Sequence, residues 1–156
     1  LVAIYLPRAP HVETPTDEKE PARYNGFGKS VNFMPGDACI LVVEDDPGVR
    51  NTTVAQITGL GYKVLTASHG AAALELYKAN PGINLVYTDI MMPNGMNGPM
   101  LAERLKEINP NIKVLFCTGF GGDTLQNFDA SRAALVLQKP VRIAVLQERL
   151  REMLEA

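Results

Sequence analysis

A chain of 156 residues, 46% of them apolar, is long enough for one ordinary domain plus a tail and can bury a real core. Its formal net charge is −2 and it has no cluster of Lys and Arg, which argues against a nucleic-acid or anionic-membrane surface. No apolar run nears the roughly 20 residues that span a bilayer, no secretory signal is visible, and Cys39 and Cys117 lack the spacing and His neighbours of a zinc site.

The chain opens on Leu1 rather than Met, and is expected to be a piece of a longer protein. Leu1 to Leu6 is a short apolar run stopped by Pro7. Arg8 to about Asp37 follows without helical or strand period, punctuated by Pro10, Pro15, Pro21 and Pro35, and reads as a largely disordered linker.

From Ala38 the texture changes. Cys39-Ile40-Leu41-Val42-Val43 is a continuous apolar run, the mark of a strand buried on both faces. A helix is expected from Pro47, with Asp46 as its cap, Val49, Thr53, Ile57 and Leu60 on one face, and Gly61 at its end. The second strand is Lys63 to Ala67, and the second helix Gly70 to Ala79, capped by Ser68. Ile83 to Thr88 is the third strand. Gly98 to Ile108 is a helix with Leu101, Leu105 and Ile108 on one face, stopped by Asn109-Pro110. Ile112 to Cys117 and Ala134 to Leu137 are the last two strands. Between them Asp123 to Arg132 has a poor apolar stripe and is expected to be a short or mobile helix. Arg142 to Leu154 closes the chain as a helix, with Ile143, Leu146, Leu150 and Met153 inward. Both cysteines fall in strands and read as small core residues.

Strands alternating with helices imply an α/β fold with a doubly wound parallel sheet, whose functional crevice lies at the carboxyl ends of the strands. Those ends carry Glu44-Asp45-Asp46, Asp89, Thr118 and Lys139-Pro140. Each has an ordinary reading: a solvated turn before a helix, a turn aspartate, a strand-end hydroxyl, a surface lysine. Together, each at a strand end, they form a cluster of carboxylates, one hydroxyl and one ammonium. Crowded carboxylates repel and favour a hard divalent cation such as Mg²⁺. One of them can then act as nucleophile toward a phosphoryl group whose oxygens the metal, a lysine and a hydroxyl stabilise.

Ile40-Leu41-Val42-Val43-Glu44-Asp45-Asp46-Pro47 resembles the opening of bacterial response-regulator receiver domains. Thr88-Asp89-Ile90-Met91-Met92-Pro93, with Gly98 opening the next helix, resembles their phosphorylation loop. Phe116-Cys117-Thr118-Gly119 and Gln138-Lys139-Pro140 resemble the remaining two motifs. The resemblance covers residues 38–156. It implies a flavodoxin-like, five-stranded sheet of order 2-1-3-4-5 flanked by helices, and a phospho-acceptor role in two-component or phosphorelay signalling rather than stand-alone enzyme activity. Carried over residue by residue, Asp89 is the acceptor of a phosphoryl group from a phosphohistidine. Glu44 and Asp45 are the acidic pair at Mg²⁺, with Asp45 the direct ligand and Asp46 the helix cap. Met91 offers its backbone carbonyl to the metal, and Thr118 and Lys139 contact the phosphoryl group. The implied partners are a histidine kinase or a histidine phosphotransfer domain, in the cytoplasm, with a dimer as an option and neither nucleic acid nor direct membrane contact.

Three positions depart from the family pattern. Asn94-Gly95-Met96-Asn97 lengthens the loop after Pro93 by one residue. Val136 and Val141 stand where aromatic residues are usual, which weighs against signalling by an aromatic rotamer. At the other end, Val2-Ala3-Ile4-Tyr5-Leu6-Pro7-Arg8-Ala9 resembles the last strand of a histidine-kinase ATP-binding domain. Residues 1–37 would then be that strand plus a linker, and the chain the C-terminal receiver of a hybrid sensor kinase. His11 and His69 are read as structural or solvent-facing rather than as phospho-donors.

Two other functions compete. An aspartate-nucleophile phosphohydrolase resembles Asp-x-Asp at the nucleophile, whereas here Met91 fills the second place. A pseudo-receiver that only binds protein would have lost an acid or the lysine. A flavin module is disfavoured, because no Ser/Thr- or Gly-rich phosphate loop follows the first strand.

Overall fold

The computed structural model of the chain describes residues 35–93, 95–119 and 135–156. The Leu1–Leu6 run, nearly all of the linker, His11, Phe120 and the expected helix over 123–132 lie outside the described residues. Five parallel strands form one sheet of order β2-β1-β3-β4-β5: β1 is Cys39–Val43, β2 Lys63–Ala67, β3 Ile83–Asp89, β4 Lys113–Thr118 and β5 Val136–Gln138. Four helices are described, α1 Pro47–Gly59, α2 Gly70–Ala79, α3 Gly98–Ile108 and α4 Ile143–Glu155, with a single 3₁₀ turn at Pro35–Asp37. No described helix is long and apolar enough to cross a membrane.

Strand side chains alternate between two cores. Leu41, Val43, Val86 and Phe116 pack with Ala73 and Tyr77 of α2 and Leu101 and Leu105 of α3. Ile40, Val42, Leu85 and Leu115 face the other way, onto Ile57 of α1 and Leu146, Leu150 and Leu154 of α4. The continuous apolar runs of β1, β3 and β4 follow from this covering on both faces.

Among the described residues the expected elements are found, with local corrections. Asp46 caps α1 as expected, its Oδ1 accepting from the Val49 amide at 2.9 Å. The cap of α2 is His69, not Ser68. Extended backbone at His69 starts the helix at Gly70, and the ring Nδ1 accepts from the Ala72 amide at 3.1 Å. Ile143 and Ile108 were expected inward but are half-exposed, because each is the terminal residue of its helix. Ala102 and Leu154 fill the core places instead. Val49, in the first turn of α1, is also exposed, and Thr53 and Ile57 carry that face. Strand β3 runs one residue past its expected end, so Asp89 is its last residue, and β4 and β5 sit one to two residues later than expected.

Candidate functional site

Strand β1 lies between β2 and β3, so the strand order reverses there and opens a crevice at the carboxyl ends of β1 and β3. The last sheet-like bond of β1, from the Glu44 amide to Ala67 O, leaves Glu44 just past the strand with its side chain turned in. Glu44 is 2% exposed and Asp89 8% exposed. Two carboxylates buried this close need a cation. Lys139 supplies it, its Nζ lying 2.6 Å from Glu44 Oε2 and 2.6 Å from Asp89 Oδ2. The lysine backbone is fixed as well, since its amide donates to Thr118 O at 2.8 Å. The other Asp89 oxygen, Oδ1, accepts from the Met91 amide at 3.1 Å. The Asp89 carboxylate is therefore held at both oxygens.

One ammonium serves two carboxylates, and the electrostatics show it. Burial pushes the Glu44 carboxyl above its ordinary range; the hydrogen bond and charge of Lys139 oppose this, and the Asp89 charge adds to it. Burial alone would lower the Lys139 pKa, but the hydrogen bonds it donates to Asp89 and Glu44 outweigh it and hold the ammonium protonated well above the usual lysine value. Cys117 Sγ completes a group with Glu44 and Asp89 whose ligand atoms all lie within 4.8 Å of one another. Burial pushes this thiol up to about 12, against a hydrogen bond from Tyr87, so it stays protonated and is a poor ligand. The donors that remain are hard oxygens. That set fits Mg²⁺, and the ammonium bridging the two carboxylates marks where positive charge is favoured.

The structure thus brings together Glu44, Asp89 and Lys139, with Thr118, 1% exposed, at the end of β4 beside them. Asp45 is exposed and its carboxylate is not among the converging atoms. Met91, two residues after Asp89, is 55% exposed. Beside Lys139, an open groove of about 460 Å³ runs between Val49, Thr52 and Gln56 of α1 and Pro140 and Val141 after β5.

Two contributions were not read from the sequence. Gly98, read there only as opening its helix, approaches the main chain of Asp89 so closely that a Cβ there would overlap the Asp89 carbonyl oxygen, while its amide donates to Ile90 O at 3.1 Å. Arg50 reaches back from α1, its Nη1 donating to Glu44 O at 2.7 Å. The signal for Arg50 was its place one turn after the acidic run, where a long donor can reach strand-end carbonyls.

Residues 40–151 match the response regulator receiver domain. The chain is 32% identical over 154 residues to the sensor kinase CckA of Brucella abortus (strain 2308), a match covering 97% of this chain and 16% of that kinase. It is 40% identical over 118 residues to the response regulator receiver protein CpdR of the same organism, covering 75% of this chain and 97% of that protein. Among solved structures, the receiver domain of the hybrid histidine kinase CckA superposes with a TM-score of 0.61 at 31% identity, covering 75% of this chain and 99% of that one.

Proposed function

The chain belongs to the response regulator receiver domain family of two-component signalling, and from that premise we propose that Asp89 accepts a phosphoryl group from a phosphohistidine with the help of Mg²⁺. The observation that carries this is the Lys139 ammonium 2.6 Å from both Glu44 and Asp89, which joins the ends of three strands around one carboxylate. Asp89 Oδ attacks the phosphorus, the phosphorus–nitrogen bond of the donor breaks as the oxygen–phosphorus bond forms, and the departing imidazole keeps the electron pair and takes up a proton. Lys139 and the Thr118 hydroxyl stabilise the phosphoryl oxygens. Glu44, Asp45, Asp89 and the Met91 carbonyl would hold Mg²⁺, which when bound offsets charge on the phosphoryl oxygens.

The donor is a histidine kinase or a phosphotransfer domain in the cytoplasm, and the chain itself acts as a substrate and switch rather than as a stand-alone enzyme. The chain spans 16% of the related sensor kinase. That match extends over nearly all of residues 1–37 as well as the receiver, which supports reading this chain as the receiver end of a hybrid kinase. The test is phosphotransfer from candidate histidine donors. Label should reach the parent and be lost in Asp89→Asn; label retained by that variant would sink the assignment.

A further inference from the structure

We infer that Arg50 is a positioning residue for the acidic pair, holding the Glu44–Asp45 backbone so that the Asp45 carboxylate is presented to a divalent cation. This rests on the Mg²⁺ reading above. Strand β1 ends at Val43, and the carbonyls that follow have left the ladder. The guanidinium takes them over, donating to Glu44 O at 2.7 Å and reaching Asp45 O at 3.5 Å from the same Nη1. Its own backbone is fixed in the first turn of α1, with the Arg50 amide bonded to Asp46 O at 2.9 Å. The three acidic residues are therefore enclosed in a short ring: strand end, cap, first helical turn, and the guanidinium returning to the strand end.

The need for this ring follows from exposure. Glu44 is anchored by burial and by Lys139, and Asp46 by its capping bond. Asp45 is exposed, and among the described residues its side chain makes no hydrogen bond or ion pair; its backbone is what fixes it. An exposed carboxylate on a loose loop gives up conformational freedom when it binds a metal, whereas one on a fixed loop has already done so. The guanidinium also acts against itself, because its positive charge repels a divalent cation. Positioning and repulsion predict opposite signs for its removal, and that makes the role testable.

Arg50→Met removes the bond and the charge, and Arg50→Lys keeps the charge without the planar fork. With folding verified by circular dichroism, Mg²⁺ is titrated alone into each protein and followed by amide NMR shifts. The dynamics of the Asp45 and Asp46 amides are measured without metal. Positioning predicts that both variants bind Mg²⁺ roughly 10-fold more weakly, as expected on losing a partner that orients a ligand, and that both amides become more mobile in the metal-free state. Unchanged or tighter Mg²⁺ binding by Arg50→Met overturns the inference and leaves charge repulsion as the larger effect. If the parent itself binds no Mg²⁺, the metal reading falls separately, and unchanged amide dynamics in Arg50→Met then overturns the positioning role by itself.

Discussion

The Cα of Gly98 lies against the carbonyl oxygen of Asp89, with no room between them for a methyl group. Helix α3 thus begins in contact with the main chain of Asp89. In an open helix start, replacing glycine by alanine gains roughly 0.5–1 kcal/mol through the unfolded chain. At this position the added Cβ meets backbone, which cannot swing away as a side chain can. Gly98→Ala should therefore destabilise the domain by about 2 kcal/mol, and move the Asp89 amide resonance. A variant that melts at or above the parent's temperature would show that the loop yields freely.

Lys139→Met should leave Glu44 and Asp89 as two buried carboxylates without their cation. Breaking such an arrangement costs about 3 kcal/mol. Acid should recover part of the loss, because protonating either carboxyl removes the repulsion. Mg²⁺ should stabilise this variant more than it stabilises the parent. Urea denaturation at neutral and mildly acidic pH, with and without Mg²⁺, measures both effects.

The lifetime of the phosphorylated form should be long. Water attacking the aspartyl phosphate must be held in line with phosphorus, and the apolar Met91 side chain offers it no hydrogen bond. Phe120 stands two residues after Thr118 as Met91 stands two after Asp89, is equally apolar, and lies outside the described residues. Met91→Asn should speed the decay of phosphorylated protein by roughly tenfold, equivalent to about 1.4 kcal/mol of barrier. Phe120→Glu tests the other position. Decay no faster than the parent's in both would mean that these side chains do not set the lifetime.

Cys117 should resist alkylation in the folded protein at pH 8 and react on unfolding, since burial pushes its thiol up to about 12. The sign of the linked stability follows. Below the unfolded thiol's value of about 8.5 both states keep the proton. As pH rises toward the folded value only the unfolded chain releases it, so stability falls across that window. Cys117→Ala should flatten that fall, as seen in denaturation midpoints between pH 8 and 10.

Much of this was legible in the residues. Ile40–Val43 and Leu85–Tyr87 announced strands covered on both faces, because an apolar residue at every position fits only that setting. Asp46 before Pro47 announced a cap with equal clarity. Helix ends were less legible. Ile108 and Ile143 continue the apolar period of their helices, but period says nothing about where the sheet beneath stops. Ser68 is the better capping residue by composition, yet the backbone turns into the helix one residue later and His69 takes the place. At the site, Glu44, Asp89 and Lys139 were found because strand ends collect chemistry. Arg50 was not, because it acts on carbonyl groups, and Gly98 was read only as a helix opening, because its contact with Asp89 works by lacking a side chain.

The Lys139 side chain spans 95 residues of sequence to Glu44 and 50 to Asp89. A contact so remote along the chain cannot form early in folding, when local pairings dominate. During synthesis β5 is the last of the described strands to emerge, and Lys139, just past it, completes the carboxylate pocket. A nascent or truncated chain can therefore contain the acceptor, the acidic residues and four of the five strands without their shared cation. On the proposed mechanism, a chain that stops short of Lys139 should not be phosphorylated, because the sheet that brings its cation to the pocket has not closed.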